Sequence, residues 1–116
     1  KVQAIYPVLG GFFPSEKPAL LHGDLWSGNI MRTTKGNPVL IDPAVYYGHR
    51  EMDIAFSHLF GGFSDEFYET YNELFPMEPG FEDRKDVYNL YPLLVHLNLF
   101  GTGYLPGILR VVKRLS

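Results

Sequence analysis

In the first half of the chain, short runs of hydrophobic residues alternate with short polar segments. The apolar runs are brief and are found at 19–22, 30–32 and 38–41. Short apolar runs bounded by turn-forming residues are typical of strands, and residues 33–37 predict the turn of a hairpin. Asp42 follows the second strand of that hairpin. Residues 1–18, interrupted by Gly and Pro, predict the end of a helix and then a loop.

From residue 51 the apolar positions recur about every three and a half residues, as they do along amphipathic helices. A first helix is predicted from Glu51 to the glycine pair at 61–62. Ser64 suits the N-cap of a second helix, because two acidic residues follow it where the helix dipole favours negative charge. The segment 76–80 ends this helix.

A third helix is predicted over 82–100. Pro92 kinks or divides it, because proline has no amide hydrogen to donate to the helix. After a loop at 101–107, residues 108–115 predict a last amphipathic turn or two with the basic side chains in water. The predicted fold class is α+β and mostly helical, with a small β-hairpin.

Composition narrows the class of protein. The chain has 116 residues of which 46% are hydrophobic, enough to bury the core of one folded domain. A net charge of −3 gives no general attraction to nucleic acid or to anionic lipid, so neither is expected as a partner. The absence of cysteine fits a reducing compartment, and no apolar run reaches the length of a membrane span. We therefore expect a cytoplasmic protein.

The residues with the clearest chemistry surround the predicted hairpin. His22-Gly23-Asp24 follows the first strand, Asn29 comes five residues after Asp24, and Asp42 comes thirteen after Asn29. Phosphoryl transfer from a nucleotide needs a carboxylate beside the acceptor hydroxyl and oxygen ligands for Mg²⁺. Asp24 and Asn29 can point into one cleft from the same loop, and Asp42 supplies a charged oxygen from the neighbouring hairpin.

The order H-x-D-x-x-x-x-N followed by a metal-binding Asp resembles the catalytic loop of protein kinases. Here Gly23 replaces the arginine of that loop, and Ile41-Asp42-Pro43 replaces the DFG triplet. These differences exclude an ordinary protein kinase. They favour the kinase-like small-molecule phosphotransferases, the group that contains aminoglycoside and choline kinases.

Within that group the sequence resembles the fructosamine kinase (ketosamine 3-kinase) family. The resemblance extends from about Pro18 to the end and rests on separate motifs: HGDLWSGN at 22–29, DPA at 42–44, YGHRE at 47–51, FGGF at 60–63, HLN at 96–98 and FGTGY at 100–104. It implies ATP-dependent phosphorylation of a sugar hydroxyl on ketosamines, the adducts of glucose or ribose with lysine amines. That reaction destabilises the adduct and reverses glycation. The expected partner is a ketosamine small molecule or a glycated protein lysine.

The resemblance also implies roles for single residues. Asp24 is expected to act as the catalytic base, Asn29 and Asp42 are expected to hold Mg²⁺, and His22 is expected to brace the loop. These roles agree with the residue types that phosphoryl transfer requires.

Other positions are open to two interpretations. Trp26 is a candidate apolar wall against the sugar or its lysine stem. His96 and Asn98 are candidate substrate contacts, with core packing as the alternative. Asp53 is a first-turn residue favoured by the helix dipole, or else a contact that braces the catalytic loop.

The resemblance covers only the C-terminal lobe of a kinase-like fold. No segment offers the strand-borne lysine that pairs with the α and β phosphates, nor the sheet that covers adenine. We expect residues 1–116 to form a C-terminal catalytic lobe whose N-terminal nucleotide-binding lobe belongs to the same native chain. The isolated fragment is expected to be inactive and to bind Mg-ATP weakly or not at all.

Three alternatives remain open. A kinase of another small hydroxyl compound, such as an aminoglycoside, choline or homoserine, would use the same base and metal residues. A metal-dependent phosphoesterase would need more histidines at ligand spacing than the four scattered along this chain. A degenerate lobe could serve as a non-catalytic interaction domain.

Overall fold

The structure is a computed structural model and describes residues 13–115. These residues form four short strands: β1 (Ala19–Leu21), β2 (Ile30–Arg32), β3 (Pro38–Leu40) and β4 (Tyr46–Gly48). They also form five helices: α1 (Arg50–Phe60), α2 (Asp65–Leu74), α3 (Phe81–Tyr88), α4 (Leu90–Phe100) and α5 (Leu105–Leu115). The α+β, mostly helical class is as predicted. The helix end predicted near the N-terminus lies outside the described residues.

Strands β2 and β3 form the predicted hairpin, with Ile30 paired to Leu40. Its turn is closed by the Gly36 N–H, which donates to the Thr33 carbonyl at 2.8 Å. One step beyond the ladder, the Ile41 N–H donates to the Asn29 carbonyl at 2.9 Å. The hairpin therefore places the residue after Ile41 beside Asn29.

Strand β4 was not predicted. It pairs antiparallel with β1, so that Leu21 lies opposite Tyr46 and Ala19 opposite Gly48. Just before it, the Ala44 N–H donates to the His22 carbonyl at 2.8 Å. This pairing holds the start of the 22–29 loop against the segment that leads into α1.

The helices bury two clusters of apolar side chains. In one, α1 packs on α3, and the buried members are Ile54, Ala55, Phe81 and Tyr88. In the other, α4 packs on α5, and the buried members are Leu90, Ile108, Val111 and Val112. The basic residues of α5 are exposed, as the amphipathic pattern predicts. None of the helices among residues 13–115 is both long enough and apolar enough to span a membrane.

The long third helix of the prediction is two helices, and the division falls at Asn89 rather than at Pro92. The Asn89 side chain donates to the Ala55 carbonyl at 2.8 Å and fixes the junction to α1. Pro92 lies in the first turn of α4. Its missing N–H costs nothing there, because first-turn amides have no acceptor within the helix.

The last helix begins at Leu105, three residues earlier than predicted. Pro106 falls in its first turn, where proline is tolerated for the same reason. A single 3-10 turn, Thr102–Tyr104, precedes it. The predicted loop at 101–107 is therefore shorter than expected.

A buried ion pair ties α1 to α3. The Arg84 guanidinium donates to both carboxylate oxygens of Glu51, at 2.9 and 2.8 Å, and Glu51 is fully buried. The Tyr88 hydroxyl donates to the same carboxylate at 3.0 Å. The hydrogen bonds to Glu51 raise the pKa of Arg84. Burial, and then the bond to Glu51, raise the pKa of Tyr88, so the guanidinium stays charged and the phenol stays neutral.

Candidate active site

The loop formed by residues 22–29 connects β1 to β2 and ends in a 3-10 turn, Ser27–Asn29. Its first two amides are held by one side chain of α1. The carboxylate of Asp53 accepts the His22 N–H at 2.7 Å and the Gly23 N–H at 3.0 Å. Of the two roles considered for Asp53, the bracing contact is therefore present in the structure.

His22 uses both ring nitrogens inside the fold. Its Nε2 lies 2.8 Å from the Ile41 carbonyl oxygen, which can only accept, so Nε2 carries the hydrogen. Its Nδ1 accepts the Asp24 N–H at 3.2 Å. The neutral ring thus links the loop to the end of the hairpin and leaves no nitrogen for a metal ion.

Asp24 and Asn29 are in direct contact across the loop. The Asn29 side-chain nitrogen donates to the Asp24 carbonyl at 2.8 Å and to Asp24 Oδ2 at 3.0 Å. Both partners are acceptors, so the amide orientation of Asn29 is fixed. Among residues 13–115, Asn29 Oδ1 and Asp24 Oδ1 have no hydrogen-bond partner and are the oxygens available to a ligand.

Asp42 lies beside Asn29 at the end of the hairpin, because the preceding residue, Ile41, bonds to the Asn29 carbonyl. Its φ is 49°, in the left-handed region that only glycine, asparagine and aspartate visit routinely. Such a conformation costs a non-glycine residue roughly 1–2 kcal/mol and is found preferentially at functional sites. The Asp42 side chain is exposed.

These oxygens fit magnesium bound together with phosphate. Mg²⁺ uses one or two protein carboxylates and completes its shell with water and substrate phosphates. Asn29 Oδ1 and the Asp42 carboxylate are hard donors of that kind on adjacent backbone. In the described part of the chain no group of three or more His, Asp or Glu side chains gathers as a self-sufficient metal site.

Two glycines allow close approaches at the loop. The Trp26 indole lies against Gly28, where a Cβ would collide with the ring. Gly62, with φ +97°, approaches Ser27, and a Cβ there would collide with the Ser27 hydroxyl. The α1–α2 connection therefore supports the 3-10 turn that carries Asn29.

We call the larger of two depressions beside Asp24 the aromatic cleft. It has a volume of about 500 Å³ and is lined by Asp24, Trp26, Phe60, His96, Phe100 and Tyr104. The His96 ring is central, with ring centroids of Phe60, Tyr104 and Phe100 at 4.8, 5.2 and 5.5 Å. The cleft opens at the Asp24 carboxylate.

The smaller depression, the inner cleft, measures about 230 Å³ and shares Asp24 and His96 with the aromatic cleft. Tyr46 and Asp53 also line it. Burial raises the pKa of Tyr46, and the negative charge of Asp53 raises it further. The Tyr46 hydroxyl is therefore a neutral donor at physiological pH.

The structure brings most of the sequence-predicted site residues together. Asp24, Trp26 and His96 line one cleft; Asn29 bonds to Asp24, and Asp42 follows the residue that bonds to the Asn29 carbonyl. Asn98 does not line either cleft. It follows His96 by two positions on α4, which turns it about 200° around the helix axis, and it is exposed.

Sequence reasoning did not single out three of the residues that line the aromatic cleft. They are Phe60, Phe100 and Tyr104. A signal was present, because Phe60 and Phe100 each precede a glycine at a helix end. Glycine at that position turns the chain and leaves the aromatic ring at the surface.

Comparisons with known proteins identify the family of the chain. A family model described as fructosamine kinase matches residues 8–116. A protein of Lactiplantibacillus plantarum named as a probable ketoamine kinase is 56% identical over 98 residues, which are 84% of this chain and 35% of that protein. The chloroplastic protein-ribulosamine 3-kinase of Oryza sativa subsp. japonica is 52% identical over 96 residues, 83% of this chain and 28% of that protein.

A solved structure gives the same result. The crystal structure of a candidate fructosamine-3-kinase from Thermobifida fusca superposes with a TM-score of 0.88 at 37% identity, over 98% of this chain and 40% of that one. The chain spans about a third of the length of the curated relatives named above. With a family model matching nearly all of its length, the chain belongs to the fructosamine kinase family.

Proposed function

We propose that this chain is the C-terminal catalytic lobe of a kinase-like enzyme that transfers the γ-phosphoryl group of ATP to a sugar hydroxyl of a ketosamine. Family membership supports a small-molecule kinase that uses ATP. The observation that carries the finer proposal is the arrangement at the loop, where Asn29 orients Asp24 at the mouth of a cleft and Asp42 lies beside Asn29.

Asp24 is the proposed base. Its Oδ2 is occupied by the Asn29 amide at 3.0 Å, so Oδ1 is the oxygen that receives the proton of the acceptor hydroxyl. As the hydroxyl oxygen forms its bond to the γ-phosphorus, its proton moves to Asp24 Oδ1 and the leaving group is ADP. A positioned base of this kind contributes about 10²–10⁴-fold to the rate.

Asn29 Oδ1 and the Asp42 carboxylate are the proposed magnesium ligands. The ion would neutralise charge on the phosphates of ATP. Asp42, in a left-handed conformation, directly follows Ile41, whose N–H bonds to the Asn29 carbonyl. His22 keeps these two strand ends together through its contacts with Ile41 and Asp24.

On the acceptor side, Trp26 and His96 are proposed to contact the substrate from the aromatic cleft. Asn98 lies outside both clefts and has no part in this proposal. The acceptor is a ketosamine, free or on a protein lysine, and phosphorylation would destabilise the adduct and so reverse glycation. We propose the cytoplasm as its location.

The nucleotide-binding lobe is proposed to lie outside these 116 residues, in keeping with relatives about three times as long. We therefore expect the isolated chain to be inactive and to bind Mg-ATP weakly or not at all. Calorimetry with Mg-ATP tests this, and submillimolar binding by the isolated chain would refute it.

Phosphorus NMR of the full-length protein tests the reaction itself. With Mg-ATP and ribulosyl-lysine we expect a sugar phosphate and ADP, and an Asp24→Asn variant should form neither at a comparable rate. If ATP stays intact with this acceptor, the substrate assignment is wrong. If Asp24→Asn turns over normally, the base is wrong. Phosphate release without an acceptor would instead indicate the phosphoesterase alternative.

A further inference from the structure

The lining of the aromatic cleft combines aromatic rings with one carboxylate. Of the six described residues that line it, five carry aromatic rings and one, Asp24, is charged. Lysine and arginine are not among these lining residues. Three of the rings are well exposed, Phe100 at 69% and Trp26 and Phe60 at 39% each. These rings form a surface and are not core filling.

His96 and Asp24 present polar atoms to a ligand in the aromatic cleft. His96 Nδ1 donates to the Pro92 carbonyl at 2.7 Å, so the ring presents Nε2, which accepts a hydrogen bond when the ring is neutral. Asp24 Oδ1 is also an acceptor. A ligand with a positive charge and N–H donors would satisfy both of these acceptors.

Aromatic faces add to that preference. The π-system of an aromatic ring attracts a cation placed over its face within about 6 Å of the centroid. The rings of Phe60, Phe100 and Tyr104 surround His96 at centroid distances of 4.8 to 5.5 Å, a compact group on one side of the cleft. Asp24 adds a carboxylate to the same lining.

We propose that the aromatic cleft recognises the protonated secondary amine of a ketosamine, with Phe60, Phe100 and Tyr104 as specificity-determining residues. This inference rests on the proposed function. Alkyl amines are protonated at neutral pH. The amine nitrogen of a ketosamine is only a few bonds from the sugar hydroxyls, so a hydroxyl at Asp24 places the ammonium among the rings. The apolar stem then leaves along the exposed face of Phe100.

The consequence is a preference for amine-linked sugars over neutral analogues. Cation–π contacts of this kind correspond to about a twofold to thirtyfold gain in affinity. Because the ammonium is present in both ground state and transition state, the gain lies in KM and not in kcat.

The test compares two acceptors with the full-length protein: the hexylamine ketosamine of fructose, and the ether in which oxygen replaces the amine nitrogen. We expect a higher kcat/KM for the amine by about fivefold or more. Phe100→Leu keeps an apolar side chain but removes the π-face, and should reduce the amine-to-ether ratio by at least about threefold through KM. Tyr104→Leu gives a second variant with the same expectation.

Phe75→Leu is the matched control. The Phe75 ring lies 3.7 Å from the guanidinium carbon of Arg50 and does not line the aromatic cleft. The Phe75→Leu variant therefore also loses a cation–π contact. Because that contact is outside the aromatic cleft, the amine-to-ether ratio should not change. Equal kcat/KM for amine and ether in the wild type overturns the inference while leaving the proposed function standing. Failure to phosphorylate either acceptor overturns both.

Discussion

Glu51 and Asp53 stand two residues apart in the first turn of α1, yet they serve opposite sides of the helix. Glu51 is fully buried and accepts three hydrogen bonds, from Arg84 and Tyr88. Asp53 faces the 22–29 loop and accepts two backbone amides. The first carboxylate joins two helices, and the second holds the start of the 22–29 loop.

The difference shows how one helix separates stability from activity. The Glu51 contacts are side chain to side chain and deep in the fold, so their loss leaves a buried charge without a partner. The Asp53 contacts are side chain to backbone at a half-buried surface, so their loss frees a loop that water can still reach. From the sequence alone, both residues are acids near a helix N-terminus and cannot be told apart.

Glu51→Gln is expected to have the largest effect. Removing one charge of a buried pair costs about 3–5 kcal/mol, because the Arg84 guanidinium is left uncompensated. Urea denaturation of the full-length protein should show this loss of unfolding free energy. The double variant Glu51→Leu with Arg84→Met removes both charges and should recover much of it. A loss below about 1 kcal/mol in Glu51→Gln would contradict the assignment.

Asp53→Asn should reduce activity more than stability. The NH₂ group of the asparagine would face one of the two backbone N–H groups, so one hydrogen bond is lost. That loss costs about 1–3 kcal/mol and corresponds to a fall in kcat of about tenfold to a hundredfold. Steady-state kinetics should show the fall in kcat with little change in KM for the acceptor. Asp65→Asn is the control, since Asp65 also lies in a helix first turn but is exposed. Equal effects at the two positions would mean that Asp53 acts only on the helix dipole.

Gly62→Ala should have a smaller effect on the same loop, about 1–2 kcal/mol. The methyl group would push Ser27 and, through the 3-10 turn, Asn29, so the apparent affinity for Mg²⁺ should fall in kinetic titrations. Gly61→Ala is the matched control for Gly62→Ala. Gly61 also has a positive φ, of 70°, but a Cβ there meets nothing within 4 Å. An identical Mg²⁺ response in both variants would rule out the collision with Ser27.

The smallest effect is expected at the surface pair of Glu82 and Lys85, 2.8 Å apart. The hydrogen bond from Lys85 lowers the pKa of Glu82 below its ordinary 4.5. A lowered folded-state pKa stabilises the fold above the unfolded pKa, and this contribution disappears as pH falls through the folded value. Glu82→Gln should therefore lose at most about 0.5 kcal/mol at neutral pH and nothing near pH 3. Glu69→Gln is the matched control, because it removes a carboxylate from another exposed helix position.

Local signals were enough to predict the hairpin, the α1 and α2 helices and the Ser64 cap, whose hydroxyl accepts the Phe67 N–H. Strand β4 was missed because its partner, β1, lies more than twenty residues earlier and supplies no local pattern. The division at Asn89 depends on a bond to the Ala55 carbonyl of another helix. Spacing in the chain does not encode such contacts.

The candidate site was likewise predictable from the sequence only in part. Asp24, Asn29 and Asp42 could be proposed from the sequence because phosphoryl transfer requires these residue types in a particular order. The aromatic cleft could not, because its rings come from three separated segments that only packing brings together.

The contact between Trp26 and Gly28 has a spectroscopic consequence. Trp26 is the single tryptophan of these 116 residues, and it is 39% exposed beside a carboxylate and a histidine. With its indole resting on a glycine backbone, the ring has a defined surrounding on one side and solvent on the other. Its emission in this chain is therefore a built-in reporter of what enters the cleft, with no label attached.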